Sequence, residues 1–143
     1  MSNWSLRHWR ETLSTCTVVP QVLQTELHPR LPQSELLETA RAAGVLKVMA
    51  HCPLAHGDPA LLRAPTLLRL ATARGEGCTP AQLCLRWSLD RGLVPIPKAS
   101  SRARLVENLG ATSLAPLSDV ERAAMDALEA SDGRVSFDPA LIA

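Results

Sequence analysis

At 143 residues, the chain is long enough for one modest domain with its own hydrophobic core. Hydrophobic residues make up 46% of it, which excludes a disordered polymer. A net charge of +1 gives no electrostatic footprint for nucleic acid or an anionic membrane surface.

Ser5 has the chemistry of an N-cap, and Leu6, Trp9 and Leu13 fall on one face of the helix it would start. Val18 to Leu27 reads as a strand interrupted near its start by Pro20. His28-Pro29 and Pro32 mark a loop. Gln33 to Ala43 is predicted as a helix, with Leu36, Leu37 and Ala40 facing inward and Gly44 as its stop. Val45 to Ala50 is a second short apolar strand, and His51 to Pro65, with three prolines and a glycine, reads as a long loop.

Thr66 to Ala73 reads as a helix that ends near Gly75 and Gly77. Thr79 caps the next helix, with Pro80 at its first position and Gln82 completing a capping box. That helix is expected to bury Leu83, Cys84 and Trp87 and to stop at Gly92. Leu93 to Pro97 is a third strand. Ser100 or Ser101 caps a short helix through Asn108, and Ser118 with Glu121 forms a capping box for Val120 to Leu128. The tail from Ser131 to Ala143 looks irregular.

Strands alternating with helices imply parallel strands with helices outside them. Three strands cannot close a barrel, so the pattern leaves an unpaired sheet edge, which favours self-association. No apolar run reaches 18 residues and Met1 is followed by no apolar leader, so a cytoplasmic protein is expected.

Thirteen of the fifteen basic residues are arginines; the lysines are Lys47 and Lys98. Lys98 stands just past a strand end and before a capped helix, where a point charge suits phosphate. There is no tyrosine, so this sequence supplies no tyrosine acid. The four cysteines have neither C-x-x-C nor zinc-finger spacing and read as free thiols, and no metal site is expected.

Several stretches together resemble the aldo-keto reductase family. Ser2-Asn3-Trp4 resembles its Ser-Asn-Phe at the end of strand five. Gln21 to Pro29 followed by Gln33 resembles its sixth-strand motif. Ala50-His51-Cys52-Pro53-Leu54 falls where the family usually has Ala-Tyr-Ser-Pro-Leu. Thr79 to Gln82 with Leu85-Arg86-Trp87 resembles its seventh helix. Ile96-Pro97-Lys98 followed by Arg104, Glu107 and Asn108 resembles its cofactor signature, and Arg134-Val135-Ser136 is similar to bacterial members such as diketogluconate reductases.

The resemblance covers Ser2 to about Asp138. It implies a partial (β/α)₈ TIM barrel, the C-terminal half with about strands six to eight. The whole of 1–143 would then be one NADP-dependent oxidoreductase-like domain, truncated on its N-terminal side. A complete barrel needs about 250 residues. The family's catalytic Asp, Tyr, Lys and His belong to the other half, so no catalytic residue is expected here. The family reaction is NADPH-dependent reduction of aldehydes and ketones to alcohols; this chain is expected to be inactive alone. The alternative is a non-catalytic half-barrel that binds NADP(H) or a partner; a weaker one is an unrelated small α/β protein.

By the same resemblance, Lys98 and Arg104 would meet the 2′-phosphate, and Glu107 and Asn108 the adenine. Ala99 replaces a frequent serine and would lose one hydroxyl contact, for which Ser100 and Ser101 would partly compensate. Ser2, Asn3 and Gln24 would hold the nicotinamide carboxamide. His51 takes the place of the stacking aromatic, Cys52 that of a serine near the pyrophosphate, and Leu54 completes the same stretch. A small carbonyl substrate would need the missing half.

Overall fold

The computed structural model of the chain describes residues 1–141. The last two positions of the expected 1–143 domain lie outside the described residues, and the tail expected to be irregular contains one short 3-10 turn, Pro139–Leu141. Helix α1 (Leu6–Thr15) starts at Ser5, whose Oγ accepts the His8 N–H at 3.3 Å. Its inward face buries Trp9, with Leu6 and Leu13 packed against the core. Strand β1 (Val22–Glu26) follows, then α2 (Ser34–Ala42) and strand β2 (Lys47–His51).

Helices α3 (Pro59–Leu62), α4 (Pro65–Ala73) and α5 (Pro80–Asp90) precede the short strand β3 (Val94–Pro95). Helices α6 (Arg102–Gly110) and α7 (Asp119–Asp126) complete the set. Both capping boxes form as their sequences require, Thr79 with Gln82 and Ser118 with Glu121.

The three strands form one parallel sheet in the order β1-β2-β3. Val22 pairs with Lys47 and Glu26 with His51; Met49 pairs with Val94. Leu23, Thr25, Val48 and Ala50 are buried beneath the helices, whereas Val22, Gln24 and Met49 on the opposite face keep partial exposure. The core joins Trp9, Trp87, Leu23, Leu27, Leu37, Leu61, Leu67, Leu83 and Met125, all fully buried. Apolar burial of this kind contributes roughly 25 cal/mol per Å² removed from water.

Three expectations are corrected. The first strand is shorter than Val18 to Leu27, because Pro20 lacks a ladder N–H and Val18 is 77% exposed with nothing to pair against. The third strand is two residues rather than five, for its prolines leave few donors. The loop from His51 to Pro65 is partly helical: Asp58 Oδ1 accepts the Ala60 N–H at 2.9 Å and Pro59 opens α3 behind it. Of the two candidate serine caps near residue 100, Ser101 caps α6.

Candidate functional site

Parallel strands with outer helices gather their loops at the carboxyl ends of the strands, where such folds bind ligands. A cavity of about 740 Å³ lies at that end of β2 and β3. Its volume falls within the usual range for a cofactor cleft, about 300–1,000 Å³. One wall is the segment after β2, with His51, Cys52, Leu54 and His56; the other is the segment after β3 and helix α6, with Lys98, Ser100, Arg104, Glu107 and Asn108.

The second wall is held by specific bonds. The Ile96 N–H donates to Ala50 O at 3.0 Å, fixing the chain leaving β3 beside β2. Ser101 Oγ accepts the Arg104 N–H at 3.3 Å and starts α6 at the cavity. Gln82 then does two jobs. Its Oε1 accepts the Thr79 N–H in the capping box, and its Nε2 donates to Glu107 O at 3.0 Å. One side chain therefore ties α6 to α5.

The first wall turns sharply. Cys52, Ala55 and His56 all have positive φ, at 48°, 48° and 55°. Each such residue without a glycine's freedom costs about 1–2 kcal/mol. His51 Nε2 lies 2.6 Å from Asn3 Oδ1, and His51 Nδ1 lies 3.3 Å from Cys52 Sγ. His56 Nε2 lies 3.1 Å from the same sulfur. Burial lowers the pKa of His51, and burial with the charge of Glu26 raises that of Cys52.

Of the eleven residues singled out in the sequence, eight line this cavity: His51, Cys52, Leu54, Lys98, Ser100, Arg104, Glu107 and Asn108. Asn3 joins them through His51. Ser2 and Gln24 do not line it. Ser2 forms a parallel bridge with Gln24, whose side chain is directed at Met49 Sδ, 4.0 Å away. No group of three or more His, Cys, Asp or Glu among the described residues is arranged to hold a metal ion.

The sequence reading missed His56 and the role of Glu26. Glu26 is fully buried at the end of β1 and accepts from His28 Nε2 at 3.0 Å. It also accepts the N–H groups of Val135 and Ser136 at 2.8 and 3.0 Å, and the Ser136 hydroxyl. Burial opposes its ionisation, but these donors, His28 first, outweigh it and pull its pKa to about 2. The carboxylate thus anchors the C-terminal tail beneath the strand ends. The signal was Glu26-x-His28 together with Arg134-Val135-Ser136, whose pairing is visible only once the chain is folded.

A small parallel sheet with outer helices and a cavity at its strand ends defines the class as an α/β protein. The family model for the aldo/keto reductase family matches residues 1–130, and the chain belongs to that family. It is 39% identical over 117 residues to aldo-keto reductase family 1 member A1 of Rattus norvegicus, covering 76% of this chain and 35% of that protein. It is 37% identical over 148 residues to an aldo/keto reductase of Synechocystis sp., covering 96% of this chain and 44% of that protein. A solved structure of a Gox0644 variant in complex with NADPH superposes with a TM-score of 0.86 at 31% identity, covering 99% of this chain and 50% of that one. The chain therefore spans about half or less of the length of these relatives. No helix among the described residues is long and apolar enough to cross a membrane.

Proposed function

We propose that this chain is the C-terminal half of an aldo-keto reductase barrel and that its cavity binds NADP(H). The observation that carries the reading is the convergence of Lys98, Ser100, Arg104, Glu107 and Asn108 on one cleft at the carboxyl ends of parallel strands. The residues fit the group. Lys98 is a point charge and Arg104 a planar fork, the two kinds of cation that suit a 2′-phosphate and an adenine face. The N-terminal end of α6, whose dipole favours an anion, adds to them.

In this reading Glu107 and Asn108 recognise the adenine edge, and Cys52 and Leu54 border the pyrophosphate. His51 offers its ring to the nicotinamide, with Asn3, Ser2 and Gln24 near the carboxamide. When bound, the cofactor would supply a hydride for reducing an aldehyde or ketone. This chain binds and orients; it contains no tyrosine to donate the accompanying proton. Carbonyl reduction then requires residues from outside this sequence, and the chain alone is inactive.

The test is a thermal melt of the chain with and without NADPH. Ligand at a hundred times its dissociation constant should stabilise the fold by about 2.7 kcal/mol. NADH at the same concentration should shift it less. A cooperative melt untouched by either nucleotide would rule the cofactor site out. Measurable aldehyde reduction by the purified chain would rule out its inactivity.

A further inference from the structure

Three residues that the proposed NADP(H) pose would meet also form a constellation of their own in the cavity. Asn3, His51 and Cys52 form a line: Asn3 Oδ1 to His51 Nε2 at 2.6 Å, then His51 Nδ1 to Cys52 Sγ at 3.3 Å. An amide oxygen only accepts, so the neutral His51 ring carries its proton on Nε2. That leaves Nδ1 as an acceptor for the Cys52 thiol. His56 Nε2 approaches the sulfur from a second side at 3.1 Å. A base touching a nucleophile and oriented by a third group is the arrangement that activates thiols on unrelated folds.

The geometry points to Cys52 as a nucleophilic thiol, with His51 as its base and Asn3 positioning that base, open to small α,β-unsaturated carbonyl compounds that enter the cavity. Three observations converge on it. Cys52 lines the cavity and is only half-buried, so an electrophile reaches it. The backbone is held left-handed at Cys52 and again at His56, the two residues whose side chains meet, and such conformations collect at working sites. Burial keeps His51 neutral near pH 7 and the thiol protonated, which is the resting state a general-base mechanism starts from.

The step balances within the site. The sulfur lone pair forms a bond to the β-carbon while the C=C π pair moves to the α-carbon. The thiol proton passes to His51 Nδ1, and the imidazolium returns it to the α-carbon. The product is a neutral thioether, with no change of oxidation state. His56 stabilises the developing thiolate as an N–H donor. The titratable and charged groups acting on His51 are Glu26, which favours its protonation, and His56, Arg134 and His28, which oppose it.

The thiol is open only while the cleft is free of dinucleotide, because the proposed NADP(H) pose covers His51 and Cys52. Its readout, alkylation of the chain without nucleotide, is separate from the cofactor melt. The intact chain is treated with acrylamide across pH 5 to 9, and alkylation of Cys52 and Cys16 is followed by peptide mass spectrometry. Cys52 should react at least ten-fold faster than Cys16 near pH 7. Its rate should level off once His51 is neutral, below the ordinary imidazole value of 6.5. A bare thiolate would instead keep rising about ten-fold per pH unit toward the thiol's own titration. His51→Gln should reduce the Cys52 rate about a hundred-fold, within the range of general-base effects, and Asn3→Ala less. Fully buried Cys84 in the same sample reports folding, since it is alkylated only where a variant has lost its core. Equal rates at Cys52 and Cys16, or a Cys52 rate unchanged in folded His51→Gln, would overturn the assignment.

Discussion

Lys98 and Glu26 show how single residues serve opposite ends of the same design. Lys98 lines the cleft, and its proposed role is electrostatic. Replacing it with Met keeps its length and removes its charge. A hydrogen bond to a charged group is worth about 1.5–3 kcal/mol, so Lys98→Met should weaken NADPH binding about ten- to a hundred-fold and leave NADH almost unchanged. Calorimetric titration with both nucleotides measures the difference, and equal losses for the two would remove Lys98 from the 2′-phosphate. Glu26 is structural. Its folded pKa of about 2 lies below its ordinary 4.5, so its stabilisation is complete above pH 4.5 and is lost as pH falls toward 2. The loss amounts to about 3 kcal/mol. Glu121, drawn down to about 2 chiefly by Arg74, adds to the same window. Urea unfolding at pH 6, 4 and 3 should show this decline, and Glu26→Gln should be less stable at pH 6 yet flatter between pH 6 and 3. An equal slope in the variant would show that the tail anchor does not depend on charge.

At the level of elements, the helix starts were legible and the strand lengths were not. A capping box is written within four residues, so Thr79, Gln82, Ser118 and Glu121 could be read directly. A strand's length depends on what pairs with it, and nothing near Val18 announces that no neighbour lies there. The candidate site divides the same way. Lys98, Arg104, Glu107 and Asn108 fall within one short stretch that a single helix start organises, so their clustering was foreseeable. His56 was missed because the positive φ of Ala55 and His56, which swings it back to Cys52, has no local signature. The tail was equally opaque, since Val135 and Ser136 reach Glu26 across more than a hundred residues. One glycine makes that tail possible. A Cβ on Gly133 would stand 2.0 Å from the Arg30 carbonyl oxygen, and backbone cannot move aside as a side chain can. Gly133→Ala should therefore cost about 1–3 kcal/mol, the range for forced overpacking. It should also blunt the Glu26-dependent acid slope, because the displaced tail carries the donors. Chemical unfolding at neutral and acid pH checks both; unaltered stability would mean that the tail packs elsewhere.

For the whole molecule, the decisive feature is a parallel sheet with two open sides. Beyond β1 the described residues offer only the bridge of Ser2 to Gln24, and beyond the two residues of β3 they offer no further strand. The face away from the helices exposes Val22 at 40% and Val94 at 38%. Parallel sheets are ordinarily covered on both faces, because their strands carry apolar residues on each. Unpaired N–H and C=O groups beside exposed valines form a template for another chain. Two copies carrying three strands each cannot supply the eight that a closed barrel of this kind requires, so association by this route has no natural end point. The chain alone should therefore show an average mass that rises with concentration in sedimentation equilibrium, without settling at a dimer. A polypeptide supplying the missing strands should convert it to a single defined species, and in the proposed reading should also restore carbonyl reduction. A chain that stays monomeric and melts cooperatively at high concentration would mean that the open face is self-sufficient, and would favour a stand-alone NADP(H)-binding module over half of a reductase.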